Sequence, residues 1–352
     1  MTDCSPRGAV RLLLLLDRRP GHYHQVEGLA AILARTTAVV ADRLEVRPRR
    51  LARNFVRRLA VRQRRPGAEA LLRLLYGIAP TGLARPDIVI GSGRPTIAAG
   101  ILLARHFGAR FLYSGFAPDY VHAGVDLMLV RTAEQARFNN CALTAIPTLI
   151  DPDMLPAPKP LRSVADLRGA SASLFLGGDA PGYRFVAEDW EKLAALVRDT
   201  ARRYGLRWSV STSRRTPGTV AEPFAGMARD GVIDRFVDFR AKGPDSAGQM
   251  FAADVIVVGE DSLSMMAEGL AALRPVVALR PDTVQLRESA EEITTMRARQ
   301  GLTAATISGL TPESLVGALL DARITGEDPR VAILAAIAAL RVIAVPPGSG
   351  TS

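Results

Sequence analysis

The sequence predicts an α/β protein made of two doubly wound domains, each a parallel sheet covered by helices. Short apolar runs typical of buried strands alternate with helical segments along the chain. Residues 151–160 contain four prolines and cannot form a regular element. The 352 residues are enough for two separate cores. We expect an N-terminal domain over 1–150, a proline-rich linker over 151–165 and a C-terminal domain over 166–352, whose last helix is apolar enough to pack back on the N-terminal domain.

Composition narrows the class of protein. The net charge is +10 and almost all of the positive charge is arginine, which favours an anionic partner such as phosphate or a lipid headgroup. No nucleic-acid-binding signature accompanies the arginines, so nucleic acid is not predicted as a partner. Cys4 and Cys141 are the only cysteines, and the histidines are scattered, which argues against a disulfide scaffold and a zinc site. No apolar run reaches the roughly 18 residues of a membrane span, so we expect a cytoplasmic protein.

The N-terminal domain is predicted to begin with a strand over 10–16, a loop over 17–24 and a helix over 25–34. The loop has one glycine where a dinucleotide fingerprint would have three, which excludes the Rossmann dinucleotide motif. Glycines at the end of the strand over 87–90 would let a backbone or ligand approach closely before the helix over 97–106. The other predicted strands cover 39–46, 110–114, 126–130 and 146–149.

An arginine-dense, acid-poor segment extends from Arg43 to Arg73. Leu51, Phe55 and Leu59 recur at the spacing of one helical face, and further apolar residues, among them Leu74, follow. A basic helix with an apolar stripe is typical of proteins that lie on an anionic membrane surface. The alternative is a pair of surface helices whose apolar faces pack on the domain.

The clearest unit of the C-terminal domain is a βαβ unit over 253–280. Residues 254–258 read as a buried strand, a helix begins near Leu263, and 276–279 is the next strand. Asp261 or Ser262 is predicted to cap that helix. Ligands of parallel sheets bind at the carboxyl ends of the strands, where the N-terminus of a helix offers free N–H groups. The alternative is a purely structural βαβ unit with a serine cap. Strands are also predicted over 172–176, 208–211 and 235–237, and helices over 188–204, from 217, and over 247–252, 284–299, 311–322 and 330–342.

Three stretches together resemble the mitochondrial-fission ELM family of glycosyltransferase-like proteins: 17–30 (DRRPGHYHQVEGLA), 212–217 (TSRRTP) and 259–270 (GEDSLSMMAEGL). More distantly, 88–113, 174–183 and 236–279 are similar to the bacterial N-acetylglucosaminyltransferase that makes lipid II. The resemblance covers most of the chain from about residue 10 to 280. It implies a GT-B-like fold, in which two Rossmann-like domains face each other across a cleft.

The resemblance also implies a nucleoside-diphosphate sugar as donor, bound on the C-terminal domain without a metal or cofactor. It assigns the donor site to Gly177, Gly178, Ser213, Arg214, Arg215, Phe239, Arg240, Asp261, Ser262, Ser264 and Glu268. The backbone of the two glycines and the helix start from Ser262 to Ser264 would hold phosphate, with a charged hydrogen bond from Arg214 or Arg215. Glu268 would accept from the ribose hydroxyls, and Phe239 and Arg240 would hold the base. The acceptor side would include Arg18, Gly91, Ser92, Gly93 and Arg94. The general base would come from the N-terminal domain, and His22, His24 and Asp119 are the candidates.

The implied acceptor is unknown, with a lipid-linked or cell-envelope molecule as one class, at the inner face of the membrane. Two other functions stay open. One is a non-catalytic, membrane-associated adaptor on the same scaffold, and the other is a sugar-nucleotide isomerase of the GT-B type.

Overall fold

The protein contains two six-stranded parallel sheets. Its structure is a computed structural model that describes residues 8–63, 67–243, 246–284, 290–324 and 328–340. One unit comprises Met1–Leu149 and Pro329–Ser352, and the other comprises Ile150–Asp328. Parallel strands covered by helices in both units confirm the predicted α/β fold class.

The strands of the first unit lie in the order β2-β1-β3-β4-β5-β6. In β1 (Val10–Leu16), Leu12 and Leu14 are buried on one face of the sheet, and Leu13 and Leu15 are buried on the other. Both faces are covered, which explains the continuous apolar runs of these strands. The strands are β1 Val10–Leu16, β2 Val39–Glu45, β3 Ile88–Ser92, β4 Arg110–Ser114, β5 Leu127–Val130 and β6 Cys141–Leu143, and the helices are α1 Pro20–Ala34, α2 Asn54–Arg62, α3 Ala68–Tyr76 and α4 Arg94–Phe107.

The second unit has the strand order β10-β9-β7-β11-β12-β14, while β8 and β13 form a separate antiparallel pair. Its core gathers around Trp208 and Phe224. The strands are β7 Ser171–Phe175, β8 Tyr183–Arg184, β9 Arg207–Ser211, β10 Arg235–Val237, β11 Val255–Gly259, β12 Val276–Arg280, β13 Thr283–Val284 and β14 Thr303–Thr306, and the helices are α5 Ala187–Tyr204, α6 Gly218–Arg229, α7 Phe239–Lys242, α8 Leu263–Ala271, α9 Ala290–Gln300 and α10 Pro312–Asp321.

Two stretches outside these sheets pack on a definite unit. The last helix, α11 Pro329–Ala338, belongs to the first unit, where Ile333 and Ile337 are buried in the cluster that includes α1. In the proline-rich stretch, Leu161 is buried in the second core. The backbone N–H of Lys159 donates to Asp254 Oδ1 at 2.6 Å.

Several predicted boundaries in the first unit were wrong. Helix α1 begins at Pro20 rather than at 25, because a proline fits the first helical position, so His22 and His24 lie in a helix and not in a loop. Gly91 and Ser92 belong to β3, since they pair with residues of β4. The last strand of the sheet is β6, and no strand lies over the predicted 146–149.

In the second unit, the loop predicted after β10 begins with α7, whose start is capped by the carboxylate of Asp238. The helix predicted over 247–252 is a short 3-10 helix, Gly248–Ala252. Val284, where a helix was predicted to begin, belongs to β13 instead, and the described part of that helix is α9. Strand β14 was not predicted, because the sequence TAAT has little of the apolar signal that marks a buried strand.

Candidate functional site

A histidine and a carboxylate pair at the end of β1. Asp17 follows the strand directly, and His22 lies in the first turn of α1. His22 Nδ1 lies 2.7 Å from Asp17 Oδ2, and the backbone N–H of Arg19 donates to Asp17 Oδ1 at 2.9 Å. An ionised carboxylate can only accept, so Nδ1 carries the hydrogen and the Nε2 atom of a neutral His22 is left to accept a proton. The His22 side chain is 26% exposed, so a ligand can reach it.

Gly93 leaves the space that this pair occupies. The glycine lies between β3 and α4 with φ +82°, a conformation that side chains disfavour. A Cβ atom there would lie 2.2 Å from His22 Nδ1 and 2.8 Å from Asp17 Oδ2. Strands β1 and β3 are neighbours where the strand order of the first sheet reverses. Doubly wound sheets bind ligands at such reversals.

A second polar cluster connects the ends of β3, β4 and β5. Gln25 Oε1 accepts from Ser114 Oγ at 2.8 Å and from Arg131 Nη2 at 3.0 Å. Arg131 Nη2 also donates to Ser114 Oγ at 2.9 Å, and Ser92 Oγ donates to the Ser114 carbonyl at 2.9 Å. These bonds hold the carboxyl ends of the three strands together.

The other residues predicted for the first unit lie in different surroundings. Asp119 is exposed and pairs with Arg58 at 2.9 Å, and His24 packs edge-on against Tyr23. Arg18 is exposed, 3.9 Å from a carboxylate oxygen of Glu45. Gly91 and Ser92 are buried inside β3, whereas Arg94 is exposed at the first position of α4.

In the second unit, three loops meet where the strand order reverses around β7. They follow β7, β9 and β11, which are adjacent in the sheet. Thr216 Oγ1 donates to the carbonyls of Leu176 and Gly177 and accepts from the backbone N–H of Ser213 at 2.8 Å. Ser213 Oγ donates to the Gly177 carbonyl at 3.1 Å. Both hydroxyls are buried, so they hold the loop after β9 against the loop after β7, the glycine loop, which contains Gly177 and Gly178.

Asp261 joins the third loop to the other two. Its Oδ2 atom accepts from the backbone N–H of Gly178 at 3.1 Å and from Arg215 Nη2, which also donates to the Asp261 carbonyl at 3.2 Å. The Asp261 side chain is fully buried, and this burial raises its pKa although Arg215 and the Gly178 N–H lower it. A Cβ atom on Gly177 would lie 2.0 Å from Asp261 Oδ1, and one on Gly178 would lie 2.3 Å from the Arg215 carbonyl oxygen. Close packing of the loops therefore requires both glycines.

The predicted cap of α8 was wrong. Ser262 occupies the N-cap position but makes no capping hydrogen bond with its side chain, and Asp261 turns towards Gly178. Ser262 Oγ lies 3.5 Å from Ser264 Oγ. The first N–H groups of α8 have no acceptor within the helix, as at any helix start, and they are available to an anion. Glu268 lies further along α8 and is half-buried.

The remaining predicted donor residues lie around the loop after β9. Arg240 Nη2 donates to the Thr216 carbonyl at 3.0 Å, and the backbone N–H of Phe239 donates to Thr212 Oγ1 at 2.9 Å. Arg214 is exposed and has no ion pair with any residue in the described ranges. The structure thus brings together the glycine loop, Ser213, Arg215, Arg240 and Asp261.

A cavity of 520 Å³ is lined by residues 179–184, which follow Gly178, and by Thr283. Tyr183, which lines this cavity, donates a hydrogen bond from its hydroxyl to Glu260 Oε1 at 3.1 Å. Burial and the neighbouring Glu260 raise the pKa of Tyr183, so it stays a neutral donor. Glu260 is buried and also accepts from Arg280 Nε at 2.8 Å.

Sequence reasoning missed Asp17, Gln25, Arg131, Thr216 and Glu260. Three of these directly follow a buried strand, where a polar residue faces the ligand-binding edge, and this signal was present in the sequence. Gln25 and Thr216 gave no signal, since their partners come from other strands.

No three His, Cys, Asp or Glu side chains in the described residues come together as metal ligands. Among the helices that the structure describes, none has the length and apolar character needed to cross a bilayer.

Comparison with known proteins supplies the context for this geometry. The family model described as Mitochondrial fission ELM1 matches residues 20–314. No curated protein matches the sequence.

Solved structures match at the level of the fold. Staphylococcus aureus MnaA in a co-structure with UDP has a TM-score of 0.53 and 13% identity, over 97% of this chain and 100% of that one. The UDP-GlcNAc 2-epimerase of Methanocaldococcus jannaschii has a TM-score of 0.55 and 13% identity, over 94% and 99%. Arabidopsis thaliana UGT89C1 complexed with UDP-L-rhamnose has a TM-score of 0.52 and 13% identity, over 94% of each chain. The fold is thus shared with a UDP-GlcNAc 2-epimerase and with proteins whose structures contain UDP or UDP-L-rhamnose.

Proposed function

The chain belongs to the mitochondrial fission ELM1 family, and we propose that it is a glycosyltransferase that moves a sugar from a nucleoside-diphosphate sugar to an acceptor hydroxyl. The observation that carries this proposal is the meeting of the glycine loop, Arg215 and the start of α8 at the strand-order reversal of the second sheet. Backbone N–H groups and a guanidinium together suit a diphosphate. Similar folds with UDP or a UDP-sugar bound support the choice of ligand.

The transfer needs a base and a stabilised leaving group. His22 Nε2 takes the proton of the acceptor hydroxyl while the acceptor oxygen forms its bond to the anomeric carbon of the sugar. The bond from that carbon to the diphosphate breaks, and the diphosphate leaves with the electron pair. N–H groups at the start of α8 and arginine side chains stabilise the negative charge that develops there. Asp17 keeps the His22 ring in the tautomer that accepts at Nε2.

We expect a nucleoside diphosphate to stabilise the purified protein without added metal. At a concentration of 100 times Kd, the free energy of unfolding should rise by about 2.7 kcal/mol. Thermal unfolding with UDP, GDP, CDP and dTDP, with and without magnesium, measures the effect. If none of the four stabilises the protein in either condition, the second unit does not hold the donor site.

Arg214→Ala and Glu268→Ala should each weaken donor binding and leave the fold intact. Arg214 is exposed beside the glycine loop, where it can contact phosphate at about 1.5–3 kcal/mol for a charged hydrogen bond. Glu268 is expected to accept from the ribose hydroxyls with a similar or smaller contribution. Nucleotide titration of each variant tests this, and Arg203→Ala at the exposed end of α5 is the control. Unchanged affinity in both variants would place the ligand away from these two residues.

Product analysis separates the proposed activity from the two alternatives. The protein is incubated with nucleotide-sugars and a membrane extract as acceptor. Release of the nucleoside diphosphate with labelling of an extracted molecule supports transfer. Conversion of the nucleotide-sugar into an isomer with no released diphosphate would identify an isomerase instead. Diphosphate binding without any turnover would favour the adaptor.

An exposed apolar and basic surface around α2 fits an anionic bilayer, so we place a lipid-linked or cell-envelope acceptor at the inner face of the membrane. Leu51 is 89% exposed, Phe55 72% and Leu59 49%. In α3 the apolar face is buried apart from Leu74, so that helix packs on the domain. Arg57 is also buried, and it donates to the Arg94 carbonyl at 2.9 Å.

The charge of this surface complements anionic lipid. No ion pair within the described ranges engages four exposed arginines: Arg49, Arg50, Arg53 and Arg62. Each arginine near an anionic bilayer contributes about 1 kcal/mol, so three or four together suffice for reversible docking.

We therefore expect the protein to co-sediment with vesicles that contain phosphatidylserine, and to be released at high salt, because the Debye length falls from about 10 Å at 0.1 M to about 3 Å at 1 M. Replacement of Arg49, Arg50, Arg53 and Arg62 by Gln should abolish binding. A matched control removes the same charge at other exposed arginines: Arg85, Arg162, Arg168 and Arg202. If both variants bind equally, or the parent does not bind at low salt, this surface is not a membrane contact and a soluble acceptor becomes the better proposal.

A further inference from the structure

The carboxylate of Asp261 already uses the groups that would bind a phosphate. Asp261 Oδ2 accepts from the backbone N–H of Gly178 and from Arg215 Nη2. A glycine-loop N–H and a guanidinium are the donors that bind phosphate in nucleotide sites. An anion of the chain itself therefore lies against the donors assigned to the diphosphate.

The bonding of Asp261 differs from that of a purely structural aspartate. Asp261 Oδ1 is buried and has no hydrogen-bond partner among the described residues. By contrast, Asp254, beside the start of β11, accepts with both oxygens from the Lys159 N–H and from the N–H and hydroxyl of Ser171. A buried oxygen without a partner is unfavourable, so the bonding of Asp261 is incomplete.

Arg215 is placed to move between two anions. Its side chain is 32% exposed, whereas that of Asp261 is fully buried. The guanidinium can therefore turn towards a ligand in solvent, while the carboxylate cannot follow. Arg215 Nε is buried and, among the described residues, has no hydrogen-bond partner either.

We propose that Asp261 is a resident anion from which a bound nucleoside diphosphate takes Arg215 and the Gly178 N–H. This inference rests on the proposed donor site and adds the residue that sets its affinity. When the guanidinium moves to a phosphate oxygen, Asp261 is left buried without a cation, and it takes up one proton from solvent.

The neighbouring charges indicate that Asp261 is the group whose protonation changes when the diphosphate binds. Arg215, from the loop after β9, is the cation that faces it. The adjacent Glu260 keeps its own cations, with Arg280 at 2.7 Å and Arg297 at 3.6 Å, and accepts from Tyr183. Binding should therefore take up about one proton per ligand where Asp261 is ionised in the free protein, and the affinity should fall as the pH rises.

Asp261→Asn tests the proposal directly. The amide oxygen can still accept from the Gly178 N–H, but the charge that holds Arg215 is gone. Affinity for the nucleoside diphosphate that binds, screened among UDP, GDP, CDP and dTDP, should increase roughly tenfold, which is the effect of one charged hydrogen bond. Adding Arg215→Gln should cancel the gain, because the two residues act as a pair.

Calorimetry of the unmutated protein measures the proton uptake on binding and needs no variant. The sugar ester of the diphosphate is titrated in two buffers of different ionisation enthalpy, since a diphosphate diester has no titrating group near neutral pH. Proton uptake by the parent supports the inference, and its absence from mildly acidic to neutral pH contradicts it. Equal or weaker binding by Asp261→Asn would make Asp261 a structural clamp and leave the donor site standing. If neither protein binds any of the four diphosphates, the donor site itself is wrong.

Discussion

Replacing His22 with Gln is expected to lower kcat by about 10²–10⁴-fold, the contribution of a positioned general base. A glutamine side chain has no basic atom that could take the proton of the acceptor hydroxyl. Binding of the nucleoside diphosphate should be unchanged, because the proposed donor residues belong to the second unit. Steady-state turnover of the nucleotide-sugar together with nucleotide-dependent thermal shifts measures both effects.

Asp17→Asn should lower kcat as well, because an amide group can donate to His22 Nδ1. The ring would then carry its hydrogen on Nε2, the atom that must accept the proton. Asp119→Asn is the matched control, since Asp119 is exposed and paired with Arg58. A larger loss in Asp119→Asn than in His22→Gln would identify Asp119 as the base.

The second large effect is expected on stability. Arg215→Gln should lower the free energy of unfolding by roughly 3–5 kcal/mol at neutral pH, because it leaves the fully buried Asp261 without its cation. Arg214→Gln is the matched control at the neighbouring position, where the side chain is exposed, and should change stability by less than about 0.5 kcal/mol. Urea unfolding of both variants checks the difference.

The loss in Arg215→Gln should depend on pH. Burial raises the pKa of Asp261 above its unfolded value, and removing Arg215 removes a group that lowers it. A raised pKa stabilises the protein below the unfolded pKa, and that stabilisation is lost as the pH rises through the folded pKa. The deficit of the variant should therefore be largest near neutral pH and shrink in acid. Adding Asp261→Asn should restore most of the stability, and a deficit independent of both changes would contradict a charge-based cause.

The local sequence pattern was enough to predict most of the strands and helices. The bounds of β4 and β10 were predicted to the residue, because an apolar run between turn residues is a property of neighbouring positions. Prediction failed where the signal was weak or ambiguous, as in β14, or where a proline could begin a helix earlier, as in α1. The family resemblance rested on local stretches too, and the family match confirms it.

In the candidate site, too, some features could be predicted from local sequence and others depended on the tertiary structure. The sequence placed a glycine loop, a serine-rich helix start and a TSRRTP stretch after neighbouring strands, but it could not choose between Arg214 and Arg215. That choice depends on Asp261, 46 residues further along the chain, whose buried carboxylate holds one guanidinium and leaves the other in solvent. Likewise, His22 and His24 look equivalent in sequence, and only His22 pairs with Asp17 in the space left by Gly93. Periodicity determines which residues are buried in an element, whereas the partner of a charged side chain depends on which strands become neighbours in the sheet.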